Sequence, residues 1–130
     1  MRIALISDES SVKLLEAVQE RLLREIVDLE TEFYYVQLVT DIPFKCSELT
    51  EAFDILFVFS SYEKENMEIQ VVLNKLIDLE MKAGTKIIKG LQLLEELPEL
   101  EDLEEEKDSL ADKWSSIILS NLIEEKNEGD

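Results

Sequence analysis

The chain has no histidine among its 130 residues. That absence removes Ser-His-Asp catalysis, imidazole metal ligation and imidazole proton transfer near neutral pH. A single cysteine, Cys46, excludes an intramolecular disulfide and a multi-thiolate zinc site, and points to a reducing, cytoplasmic setting. Glycine is equally scarce. Gly84, Gly90 and Gly129 stand far apart and form no phosphate-cradling loop. No apolar run approaches the ~20 residues that span a bilayer. The opening MRIALISDES reaches Asp8 and Glu9 too soon for a signal peptide.

Bases are the last shortage. Against 13 Lys and Arg stand 31 Asp and Glu, a net charge of −18. Such a surface repels phosphate backbones and anionic headgroups, which argues against nucleic acid and membrane as partners. It serves solubility, or else a basic partner or bound cations.

What is present is a regular alternation of elements. Ile3–Ile6 is a short, continuously apolar run, the pattern of a parallel strand covered on both faces. Leu15, Val18, Leu22, Ile26 and Leu29 recur at steps of three and four and predict a helix from Ser11 to about Leu29. FYYVQLV, Phe33–Val39, reads as a second strand by its β-branched and aromatic content. In DIPFKCSEL, Pro43 lacks a backbone N–H but stands where a first helical turn needs none, and Thr40 or Asp41 is placed to cap it. This predicts a short helix to about Phe53. DILFVFSS follows as a central strand. A helix spans 66–83, closed by Gly84, and TKIIKGLQL is a strand whose Lys86 and Lys89 suit a sheet edge. The leucine-punctuated acidic stretch 94–108 reads as a lid or loosely packed turns, and Leu110, Trp114, Ile118 and Leu122 mark a last amphipathic helix. The expected architecture is α/β: a three-layer flavodoxin-like sandwich with a four-stranded parallel sheet and helices on both faces. One domain covers 1–126, with the acidic segment 94–108 inside it and 127–130 as a frayed tail.

The helix at 66–83 is apolar around most of its circumference, which requires cover on more than one side and predicts a subunit interface, the alternative being a helix clamped between the sheet and the acidic segment. In open parallel sheets the ligand crevice lies beyond the carboxyl ends of the strands. Those ends carry Asp8, Thr40, Asp41, Ser60 and Ser61, our candidate ligand-binding residues, with Glu63 and Lys64 as candidates for proton transfer. Acids in the loop after the first strand resemble the Mg²⁺-binding loop of response-regulator receiver domains. FVFSS, however, supplies no phosphoaccepting Asp at the end of the third strand. The acidic run lacks a calcium-loop pattern. No metal and no cofactor is expected. Cys46, with no neighbouring base, reads as a small core residue, and Trp114 as a packing anchor.

Asp41, Ile42 and Pro43 opening a short helix, then Cys46, Leu49 and Asp54 ahead of an apolar strand, resemble the lumazine synthase family, and most of all its archaeal riboflavin synthase branch. The resemblance implies a homo-oligomer, commonly pentameric, that binds a lumazine- or flavin-like heterocycle between subunits. The departures are specific. The family's histidine after the third strand is missing from 62–70. Asp8 and Glu9 replace its stacking aromatic, and Ser60 replaces a glycine. Carboxylates at the mouth also repel a sugar phosphate, so riboflavin synthase-type dismutation of two phosphate-free lumazines is the surviving family activity. The alternative expectation is a non-catalytic homo-oligomeric scaffold or regulatory protein with an acidic partner-binding surface.

Overall fold

The computed structural model describes residues 1–8, 11–62, 67–93 and 103–128. Four strands, β1 (Arg2–Asp8), β2 (Glu30–Val36), β3 (Ile55–Tyr62) and β4 (Lys86–Leu93), form one all-parallel sheet in the order β2-β1-β3-β4. Helices α1 (Val12–Glu25), α2 (Ile42–Leu49), α3 (Met67–Ala83) and α4 (Leu103–Glu128) complete the three layers. Among the described residues no helix is long and apolar enough to cross a membrane.

Each central strand serves two cores because successive side chains point to opposite faces. Ile3, Leu5, Ile55, Phe57, Phe59 and Ile88 pack under α1 and α4 with Leu15, Leu22 and Ile118. Ala4, Ile6, Leu56, Val58 and Ile87 pack under α2 and α3 with Ile42, Cys46, Val72 and Leu76. Full burial of one such aliphatic side chain stabilises the fold by roughly 1.5–3 kcal/mol. Trp114 of α4 anchors the first core, its ring 5.7 Å from Phe57 and 6.4 Å from Phe59. Arg21 joins α1 to α4 through Asp112 and, at 3.4 Å, Asp108.

Several boundaries differ from the sequence-based expectation. Helix α1 ends at Glu25 rather than near Leu29, in a turn where Asp28 adopts φ 62°, a conformation that Asp tolerates better than most residues. Leu29 still reaches the core from that turn, which is why the apolar spacing runs past the helix. Strand β2 begins at Glu30, three residues before Phe33, and ends at Val36. Its first residues are acidic because β2 is an edge strand, and Arg2 pairs with Glu30 at 3.2 Å and with Glu32 at 3.8 Å. Helix α2 stops at Leu49 instead of Phe53. Helix α4 begins at Leu103, so 103–108 of the acidic segment are its first turns, and it extends to Glu128, past the expected start of a tail at 127. The expected lid or loose turns over 94–102 lie outside the described residues.

Two expectations hold in detail. Gly84 closes α3 with φ 72°, its N–H donating to Glu80 O at 3.0 Å. β4 is an edge strand, and its lysines work there: Lys89 Nζ lies 3.0 Å from Glu80 and Lys86 Nζ 3.8 Å.

Candidate functional site

The chain leaves β1 towards β2 on one side and returns across it to β3 on the other. The β1–β3 boundary is therefore the point where strand order reverses, and the loops beyond it part towards opposite faces. Asp8 ends β1 there and stands beside Ser60 of β3. Ser60 Oγ donates to Asp8 Oδ2 at 2.5 Å, across 52 positions of sequence. Ser11, the residue before α1, donates from Oγ to Asp8 Oδ1 at 3.5 Å. Ser7 is fully buried and donates to the carbonyl oxygen of Asp8 at 2.8 Å. Ser60 is 1% exposed and Ser11 is buried, so Asp8 brings carboxylate charge to a largely enclosed set of hydroxyls.

Alternation along β3 separates the serines. Ser60 follows Val58 onto the α2/α3 side, whereas Ser61 follows Phe59 onto the α1/α4 side. Thr40 and Asp41 lie elsewhere again, both exposed, in a 3-10 turn (Val39–Asp41) that packs against α3. Among the described residues no hydrogen bond or ion pair joins Thr40 or Asp41 to Asp8 or Ser60. Of the five ligand-binding candidates, the structure thus joins Asp8 and Ser60 directly, and adds Ser11, which sequence reasoning treated only as a helix start. The Asp-x-x-Ser spacing from 8 to 11 was the available signal. Glu63 and Lys64, the proton-transfer candidates, lie outside the described residues, as do Glu9 and Ser10.

The expected side-chain cap on α2 is not made. Asp41 occupies the N-cap position, but the 3-10 turn runs straight into the helix and holds Asp41 in helical conformation, φ −84° and ψ −11°. A capping side chain needs a more extended backbone there. The Asp41 N–H donates instead to Leu38 O at 2.9 Å. Pro43 stands in the first turn, as its missing donor requires.

Chemically, the Asp8 cluster orders hydroxyls around a carboxylate and ties two strands and a helix start together. It offers hydrogen bonds to a polar ligand. Among the described residues it has no strong base matched to a serine nucleophile. Cys46 is fully buried, and desolvation pushes its thiol up to about 12, so it packs as an apolar residue and carries no thiolate at neutral pH. Among the described residues no group of three or more acidic or thiol side chains could hold a metal ion.

Two surface features lie apart from the Asp8 cluster. A groove of about 580 Å³ runs between α1, β2 and the start of α4, lined by Lys13, Glu16, Gln19, Glu20, Phe33 and Lys107. It has charges of both signs and opens on the sheet face away from α2 and α3. On that other face, α3 buries Ile69, Val72 and Leu76 but leaves Met67 83%, Val71 51%, Ile77 38% and Met81 78% exposed. Phe44 of the adjoining α2 is 72% exposed. Neither a protein-family model nor a curated protein sequence matches the chain.

Proposed function

We propose that the chain is a self-associating scaffold that meets further copies of itself through the outer face of α3. The observation that carries this reading is the exposed row of Met67, Val71, Ile77 and Met81 on a helix whose opposite side is already packed on the sheet. An exposed row of apolar side chains on a chain otherwise crowded with carboxylates marks an interaction site. The acids lie mostly elsewhere. Eight of the 31, against three bases, lie on α4 on the far side of the sheet. That end of the molecule is the part suited to a basic partner. Sedimentation velocity from about 1 to 100 µM tests the reading, since that range covers an interface of modest size. A sedimentation coefficient that rises with concentration supports it, and a monomer throughout removes it.

A second reading has one specific observation in its favour. Asp8, Ser11 and Ser60 meet at the strand-order reversal, where a parallel sheet takes its ligand. On the lumazine synthase resemblance, the ligand is a lumazine- or flavin-like heterocycle, with riboflavin synthase-type dismutation as the activity. Titration with 6,7-dimethyl-8-ribityllumazine, followed by its fluorescence, tests this. Saturable binding lost in a Ser60→Ala, Asp8→Asn double variant supports the site. Undiminished binding in that variant moves it elsewhere, and no binding removes the ligand reading while leaving the scaffold.

A further inference from the structure

Along the exposed face of α3, Met67, Val71, Asn74, Ile77 and Met81 follow one another at steps of four, three, three and four residues. The series reads the same in either direction about Asn74. At 3.6 residues per turn the five fall within a band of roughly 120° and form one stripe about 21 Å long, shared by the exposed Gln70 and Asp78, which mirror each other about Asn74. An interface between two identical copies related by a two-fold axis needs a patch that complements itself, so that each residue meets a partner residue and the relation holds in reverse. The stripe meets that requirement. With Asn74 on the axis and the helices antiparallel, Met67 faces the partner's Met81 and Val71 faces the partner's Ile77.

The polar residues agree with this register. An asparagine carboxamide both donates and accepts, so two copies of Asn74 satisfy each other across the axis. A polar residue on the axis of such a seam favours this register over a slip of three residues, which sets it against Val71 or Ile77. Glu68 and Lys82 lie on the same flank of the stripe. In the antiparallel pair, Glu68 comes within two residues, about 3 Å along the axis, of the partner's Lys82. Helix α3 carries Glu68, Asp78 and Glu80 against Lys75 and Lys82, so it is nearly neutral in a chain of net charge −18. Two copies therefore approach along α3 with little local repulsion.

We propose that two copies of this chain pair through α3, antiparallel, about a two-fold axis at Asn74. The proposal rests on the self-association reading above and specifies its geometry. A 17-residue helix is about 25 Å long, and a single helix pair buries less than the roughly 800 Å² per partner of a standard interface, so the pair is a weak, micromolar one.

Cysteine cross-linking tests the register in the full-length chain, because the native Cys46 is fully buried and does not compete. Asn74 and Gln70 are both exposed, so Asn74→Cys and Gln70→Cys leave the core intact, and circular dichroism checks that each folds. At helix-pair spacing, two thiols at position 74 meet within disulfide reach on the axis. Two thiols at position 70 stand eight residues, about 12 Å, apart. Under mild oxidation the Asn74→Cys chain is expected to form a covalent dimer at least about tenfold faster than the Gln70→Cys chain. Sedimentation of the reduced variants runs alongside. A dimer by sedimentation, with position 70 linking as readily as 74 or with neither linking, overturns this geometry and leaves self-association standing. A monomer in every sample overturns both.

Discussion

Glu80 holds the last turn of α3 against the open edge of β4. Its Oε2 accepts the Ile87 N–H at 2.6 Å and its Oε1 accepts from Lys89 Nζ at 3.0 Å, while Lys89 also donates to Ile87 O at 2.7 Å. A donor and an acceptor that an edge strand would present to another chain are thereby occupied from within. Burial pushes the Glu80 carboxyl up, but the hydrogen bonds from Ile87 and Lys89, with the charges of Lys89 and Lys86, outweigh it and hold the pKa below the ordinary carboxylate value. A carboxyl depressed in the folded state stabilises the fold above its unfolded pKa, and that contribution is lost as pH falls through the folded pKa. Glu80→Gln is therefore expected to destabilise the chain by about 1–3 kcal/mol at neutral pH, through loss of charge-assisted bonds. The gap between variant and native chain should narrow below the ordinary carboxyl pKa of 4.5. Urea unfolding at about pH 7 and about pH 3 measures it, and a gap that stays constant would remove the charge argument.

At the scale of elements, the β3–β4 pairing depends on a residue with no side chain. A Cβ on Gly90 would sit 2.9 Å from the Val58 carbonyl oxygen and within 3.2 and 3.3 Å of the Phe59 and Phe57 rings. Those rings pack against Trp114, so they cannot withdraw without disturbing α4. Gly90→Ala is expected to cost about 1–3 kcal/mol by overpacking, where a glycine on an open strand would tolerate alanine. Thermal unfolding checks this, and an unchanged midpoint would show that β4 shifts outward at no cost. The same scale explains what was legible. The continuous apolar runs of β1 and β3 announced central strands, because burial on both faces leaves no polar position. Strand β2 was displaced in the sequence reading because Glu30 and Glu32 look unlike strand residues until Arg2 is placed beside them. The apolar steps of α1 ran on through Ile26 and Leu29 because the core continues beneath the turn that ends the helix.

For the whole molecule, charge is divided unevenly. Helix α4 holds eight acids and three bases, whereas α3 on the opposite layer is nearly balanced. Self-association through α3 still brings two chains of net charge −18 together, so long-range repulsion opposes it. Added salt screens that repulsion over a Debye length of about 10 Å at 0.1 M and about 3 Å at 1 M. Association is therefore expected to tighten several-fold between about 0.02 and 0.5 M NaCl, the reverse of an interface held by opposite charges. Sedimentation at the two ionic strengths reads it, and weakening with salt would locate the attraction in ion pairs.

Local pattern alone was enough for the α/β class, the element order, the parallel sheet and the burial of Cys46. Periodicity, turn residues and the handedness of crossovers all act over a few neighbouring residues or one connection. It also marked α3 as too apolar for a single buried side. The three-dimensional arrangement decided the rest. It joined Asp8 to Ser60 across the reversal of strand order and turned Ser61 to the other face. It kept Thr40 and Asp41 in a turn of their own and left the Met67–Met81 stripe uncovered. Such outcomes depend on which element lies beside which, and spacing along a chain does not specify its neighbours in space.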